Sequence, residues 1–269
     1  MNASPNILVL AGRRSAALDP LAEVRGISHK CLVPVRGVPM IARVLKIVEE
    51  AFPEAPIFVS IEDFEIIRSE PIVARLSAAG RLTPVEAQHH IVDSIVHASQ
   101  ATGFPLIVTT ADNVLMTPDA LRRLAEAGPT SGADALAVMA RKEAIRAAHP
   151  EGQNRFYEFK GGGYSNCNMF WLGSDKALRA AEVFRHGGQF AKKPERIIKA
   201  FGILNLIRFR LGRHTLEQMF RFVSRRFRVD LRPLVLEDGR LAIDVDNERT
   251  HRVAEEILAR ETSASGARP

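Results

Sequence analysis

Short apolar runs alternate with amphipathic stretches through the first half of this chain. Ile7 to Leu10 is an apolar run that ends in Ala11-Gly12, the pattern of a strand buried on both faces. From Pro39 to Ala51, Met40, Val44, Ile47 and Val48 fall on one side of a predicted helix with Pro at its start, where a missing N–H costs nothing. Ile57 to Ile61 and Leu106 to Thr110 read as further strands, with a helical stretch from Asp93 to Ala101 between them. Thr117-Pro118 caps a helix expected to reach about Ala127 and to stop at Gly128, and Ala135 to Ala140 is the next strand. Strands alternating with helices argue for an α/β fold: a mostly parallel sheet with helices on both faces.

After about Gly152 the alternation breaks. Arg155 to Lys160 and Asn166 to Leu172 read as strands around Gly161-Gly162-Gly163, and Ser174 begins a helix. Residues 231 to 243 hold two expected short strands. Glu248 to Arg260 is a terminal helix, followed by a tail from Thr262 to Pro269 that is expected to fray. Between these lies a helical, basic stretch. Ile197, Phe201, Leu204, Ile207 and Leu211 recur at three- and four-residue steps among Lys199, Arg208, Arg210 and Arg213. Thr215 and Gln218 have capping-box spacing, and Leu216, Met219, Phe220 and Val223 continue the apolar face.

Charge changes the picture only there. Residues 185 to 228 carry twelve Lys/Arg and two Asp/Glu, a local balance of +10, while the remaining chain is slightly acidic. One segment therefore produces the net charge of +6, and its partner is expected to be phosphate-rich or a membrane surface. Its helices suit either a lid packed on the domain or an anionic membrane interface. A nucleic-acid partner is not expected, since no recognition motif accompanies the charge. The 46% hydrophobic content is ordinary for a soluble protein, and no uninterrupted apolar run is long enough to span a bilayer. The N-terminus reads as lacking a signal peptide, and Cys31 and Cys167 show no paired spacing. A cytoplasmic protein with free thiols is the expectation, with peripheral contact to the inner membrane face through the basic segment.

Chemistry concentrates in four places. The first is Ile7 to Ser15 together with His29 to Met40. Gly12 permits a tight turn and close approach to a ligand, and the turn's N–H groups with Arg13, Arg14 and Lys30 suit a triphosphate. No Walker P-loop is present. The second is Asp112, delivered at the carboxyl end of an apolar strand, where ligands collect in open α/β sheets. A lone Asp there often caps a helix, but Thr117 already fills that place. The third is Asp244 with Asp246, two residues apart, so that both carboxylates project to one face of an extended segment. Two like charges that close repel unless a cation holds them, though Asp246 also stands where it would cap the last helix. The fourth is Phe159 to Trp171, where three glycines and Asn166 and Asn168 suit either a ligand-contacting flap or a structural hairpin.

Together these resemble the MobA-like nucleotidyltransferases. Their signature runs from a strand into L-A-G-G, includes an Arg and reaches a Lys followed by P-x-x-G-x-P. Lys30 to Pro39 matches it, whereas Arg13 stands in place of the second Gly. The resemblance implies a Rossmann-like α/β fold in one nucleotidyltransferase domain, 1–269, with 185–228 as a basic helical insertion or lid. It implies nucleotide binding by Leu10, Ala11, Gly12, Arg13, Arg14, Lys30 and Ser94, with Lys30 and Arg14 catalytic. It implies Mg²⁺ on Asp112 with Asp244 or Asp246, and an acceptor site with Lys160, Asn166 and Asn168. The implied reaction joins an NTP to a phosphorylated acceptor and releases pyrophosphate. The basic segment suggests a lipid or lipid-precursor acceptor, with CTP as the expected donor. A GT-A glycosyltransferase, which also carries a D-x-D motif, and a non-catalytic nucleotide- or membrane-binding protein are the alternatives.

Overall fold

The computed structural model describes residues 4–13, 17–181 and 214–266. Arg14 and residues 182–213, most of the basic insertion, lie outside them. The core is an eight-stranded sheet. Its strands are β1 (Asn6–Leu10), β4 (Ile57–Ile61), β5 (Leu82–Glu86), β6 (Leu106–Thr110), β7 (Ala135–Arg141), β8 (Tyr157–Phe159), β9 (Gly162–Leu172) and β10 (Leu231–Leu236). Their order is β10-β7-β9-β6-β1-β4-β5, with β8 paired to β9. β2 (Pro34–Val35) and β3 (Val38–Pro39) form a separate ribbon. β1, β4, β5 and β6 are mutually parallel, and β9 runs antiparallel between β6 and β7.

β1 explains why its sequence is a continuous apolar run. Ile7 and Val9 belong to one buried cluster and Leu8 to another, so alternate side chains enter cores on opposite faces. The helix Met40–Ala51 and the terminal helix pack on the first face. The helices Ile91–Thr102 and Leu216–Phe227 pack on the second. The capping box at Thr215 and Gln218 is formed, and Leu216, Met219 and Val223 are buried. This part of the basic segment therefore spends its apolar face on the domain. No helix among the described residues is long and apolar enough to cross a membrane.

Several boundaries differ from the sequence expectation, each for a local reason. Pro39 ends β3 and serves as the N-cap, with the helix starting at Met40. The helix opened by Thr117 does not stop at Gly128 but runs through Pro129 to Ser131 and ends at Gly132, with φ of 66°. Gly128 is a packing glycine: a Cβ there would lie 2.3 Å from Trp171 Cε2. We expect Gly128→Ala to destabilise the fold by about 1–3 kcal/mol in urea unfolding, because the buried indole has little room to move. Residues 231 to 243 hold one strand and a 3-10 turn, Gly239–Ala242, in place of two strands. Asp238 caps that turn through Arg240 N, and Gly239 lies against the Ala144 backbone. The terminal helix continues to Gly266, through much of the tail expected to fray.

Candidate active site

Four parallel strands deliver their carboxyl ends to one cleft of about 380 Å³. β1 leads into Ala11 and Gly12. A Cβ on Gly12 would meet Ala87 Cβ at 2.6 Å and Glu62 Oε2 at 3.3 Å, so the loop lies flush against the segments leaving β5 and β4. Only glycine allows that approach.

Lys30 opens a 3-10 turn, Lys30–Leu32. The Pro-x-x-Gly-x-Pro that follows is the β2–β3 ribbon, whose turn places Arg36 at φ 52° and Gly37 at φ 73°, the left-handed pair that tight hairpins require. Lys30 Nζ donates to Asp112 Oδ2 at 2.6 Å and to Asp246 Oδ1 at 2.7 Å. Burial alone would lower the lysine's pKa, but the two carboxylates outweigh it and hold the ammonium charged. Thr110 Oγ1 donates to the other Asp112 oxygen at 2.5 Å. Val245 N donates to the Asp112 carbonyl at 3.0 Å, tying the C-terminal acidic segment to the end of β6.

The helix-capping question at Asp246 is settled by its neighbours. Asn247 Oδ1 accepts from Thr250 N at 3.2 Å, and Thr250 Oγ1 accepts from Asp246 N at 2.9 Å. Asn247 does the capping, so the Asp246 carboxylate turns to Lys30. Carboxylate oxygens of Asp112, Asp244 and Asp246 lie within 4.8 Å of one another. Burial first, then the charges of Asp246 and Asp112, push the Asp244 carboxyl up to about 8. Three hard oxygen donors with excess negative charge fit a divalent cation such as Mg²⁺, and this triad, buried at Asp112, half-buried at Asp244 and exposed at Asp246, could bind a metal.

Leu10, Ala11, Gly12, Arg13, Lys30, Ser94, Asp112 and Asp246 line the cleft; Arg14 lies outside the described residues. Ser94 does so indirectly. Its Oγ accepts from Gln88 N at 2.8 Å and shapes the wall after β5. Asn166 and Asn168 sit on β9, past the Val108–Phe170 pair and toward Asp112, at a bulge where Asn168 has φ 50°. They hydrogen-bond each other at 3.2 Å and flank the cleft without lining it. Lys160 is exposed in the β8–β9 turn, six residues from Asn166, or roughly 20 Å along an extended strand. Both cysteines are free and buried; burial pushes the Cys31 thiol up to about 12, so neither reads as a nucleophile. Sequence reasoning missed Glu62 and His29. Glu62 immediately follows β4, at a strand end as Asp112 is, one residue closer to its strand.

A family model described as the MobA-like NTP transferase domain matches residues 7–239. The chain belongs to that family. A MobA-like NTP transferase domain supports nucleotidyl transfer as the general activity. The match ends before Asp244, so it is the fold that brings the C-terminal pair to Asp112. Solved structures share the architecture. A hypothetical transferase from Thermus thermophilus is 23% identical with a TM-score of 0.73, covering 92% of this chain and 99% of that one. A CMP:2-keto-3-deoxy-manno-octonic acid synthetase complexed with CTP is 14% identical with a TM-score of 0.59, covering 95% and 98%. A putative glucose-1-phosphate thymidylyltransferase from Bacillus anthracis is 15% identical with a TM-score of 0.54, covering 93% and 95%. At these identities the likeness is one of fold. No curated protein sequence matches the chain.

Proposed function

We propose that this protein is a Mg²⁺-dependent nucleotidyltransferase that moves a nucleotidyl group from an NTP to a phosphorylated acceptor and releases pyrophosphate. The observation that carries the reading is Lys30 bridging Asp112 and Asp246 beside the Gly12 loop, in one cleft. An oxygen of the acceptor phosphate forms a bond to the α-phosphorus as the bond from that phosphorus to the bridging oxygen breaks. The electron pair leaves with pyrophosphate. Such chemistry asks the protein for positioning and charge neutralisation. Mg²⁺ held by Asp112 with Asp244 and Asp246 would supply charge neutralisation at the phosphates. Lys30, Arg13 and Arg14 meet the triphosphate, and Lys30 counters the charge that grows on the departing pyrophosphate. Asn166 and Asn168 orient the acceptor from β9. The whole chain, 1–269, acts as one domain with 185–228 inserted in it.

CTP is the donor to test first, since one similar fold is described with it bound. A lipid or lipid-precursor acceptor rests on the +10 segment. The GT-A reading leaves Lys30 without a role and finds its D-x-D at the far C-terminus. Pyrophosphate release from each of the four NTPs with Mg²⁺ and a panel of phosphorylated acceptors separates transfer from glycosyl chemistry and from a non-catalytic binder. For the insertion, each basic residue near an anionic surface contributes about 1 kcal/mol, and the attraction is screened within a Debye length. We expect the protein to sediment with anionic but not neutral vesicles at low salt, and to lose this when Arg208, Arg210 and Arg213 become Glu. No vesicle binding at any salt would remove the membrane surface from the proposal.

A further inference from the structure

The loop after β1 departs from the family pattern at Arg13, and the structure holds that side chain in a fitted seat. Glu62, the residue after β4, accepts from Arg13 N at 3.2 Å and pairs with Arg13 Nε at 3.2 Å. At the far end of the guanidinium, Nη2 donates to the Ser28 carbonyl at 3.1 Å and lies 2.5 Å from His29 Nε2. His29 is buried, and its Nδ1 lies 2.9 Å from Ser28 Oγ. The seat therefore joins three segments: the loop that carries Gly12, the end of β4 and the stretch that presents Lys30. Gly12 makes room for it, since its missing Cβ would lie 3.3 Å from Glu62 Oε2.

A free arginine loses about 2 kcal/mol of rotamer entropy when it is fixed. Here three contacts fix it before any ligand arrives. We propose that Glu62 is a positioning residue for nucleotide binding, acting through Arg13: its carboxylate presets the guanidinium at the cleft wall so that it meets a nucleoside triphosphate already oriented. This rests on the nucleotidyltransferase reading. It assigns Glu62 to binding and leaves bond-making to Lys30 and the acidic triad, so the substitution acts on affinity and hardly on turnover.

The test is a cycle of Arg13→Ala, Glu62→Ala and the double variant, with Glu62→Gln as the conservative change. NTP affinity is read by calorimetry with Mg²⁺ present, KM and kcat by pyrophosphate release, and folding by melting temperature. The expected result is an NTP affinity about tenfold weaker for Glu62→Ala, equivalent to 1.4 kcal/mol, with kcat nearly kept. The double variant should be no weaker than Arg13→Ala alone, and Glu62→Gln should recover part of the loss. Unchanged affinity in Glu62→Ala overturns the proposal. So does a Glu62→Ala loss that adds in full to that of Arg13→Ala, because Glu62 would then act elsewhere. If Glu62→Ala fails to fold, the comparison of Glu62→Gln with and without Arg13→Ala decides by the same rule. A wild-type protein that binds none of the four NTPs overturns the nucleotidyltransferase reading itself, a result distinct from the other two.

Discussion

Lys30→Ala is expected to lower turnover on the order of 10²-fold or more, the effect of removing one preorganised charge contact. Lys30 is fixed by two carboxylates, 2.6 Å from Asp112 and 2.7 Å from Asp246, and needs no reorganisation to face a developing negative charge. The substitution deletes an ammonium at the cleft wall and leaves the apolar core untouched, so circular dichroism and melting should show a folded protein. Pyrophosphate release measures the loss. A well-folded Lys30→Ala protein with near-normal release would remove Lys30 from the reaction.

Asp112→Asn should abolish Mg²⁺-dependent activity, and Asp246→Asn should do the same. An amide is a poorer ligand than a carboxylate for a hard cation, and each change also takes one counter-charge from Lys30. Titrating activity against Mg²⁺ in each variant separates the roles. A shared metal site predicts that both variants lose the metal response. An unchanged Mg²⁺ dependence in both would leave the triad as a structural ion-pair network around Lys30.

What could be read from the sequence was whatever burial on both faces writes into it. The runs at β1, β4, β6 and β7 are continuous because both sides of each strand are covered, and the carboxyl ends of β1, β4 and β6 mark the cleft. β5 went unread for the opposite reason. It is an edge strand, carries Pro84, and buries only Leu82 and Val85, so its pattern is thin. Gly128 was misread as a helix stop because a packing glycine and a terminating glycine look alike until Trp171 is in place. At the site, the spacing of Asp244 and Asp246 was legible, but their meeting with Asp112 depends on contacts across more than a hundred residues. That Asn247 takes the capping role is equally a matter of side-chain geometry. Glu62 stood at a readable position, directly after a strand, yet nothing in its own neighbours shows that it faces Arg13.

In the proposed function the Gly12 loop, Lys30 and the three aspartates bind an NTP together with a divalent cation. Calorimetric titration of the full-length protein with each of the four NTPs, with Mg²⁺ and with the metal chelated, tests it most directly, using Asp112→Asn and Asp246→Asn as controls. At least one NTP should bind wild-type protein, and both chelation and either substitution should weaken that binding strongly. Binding that ignores the metal and both substitutions, or no binding by any of the four NTPs, would contradict it.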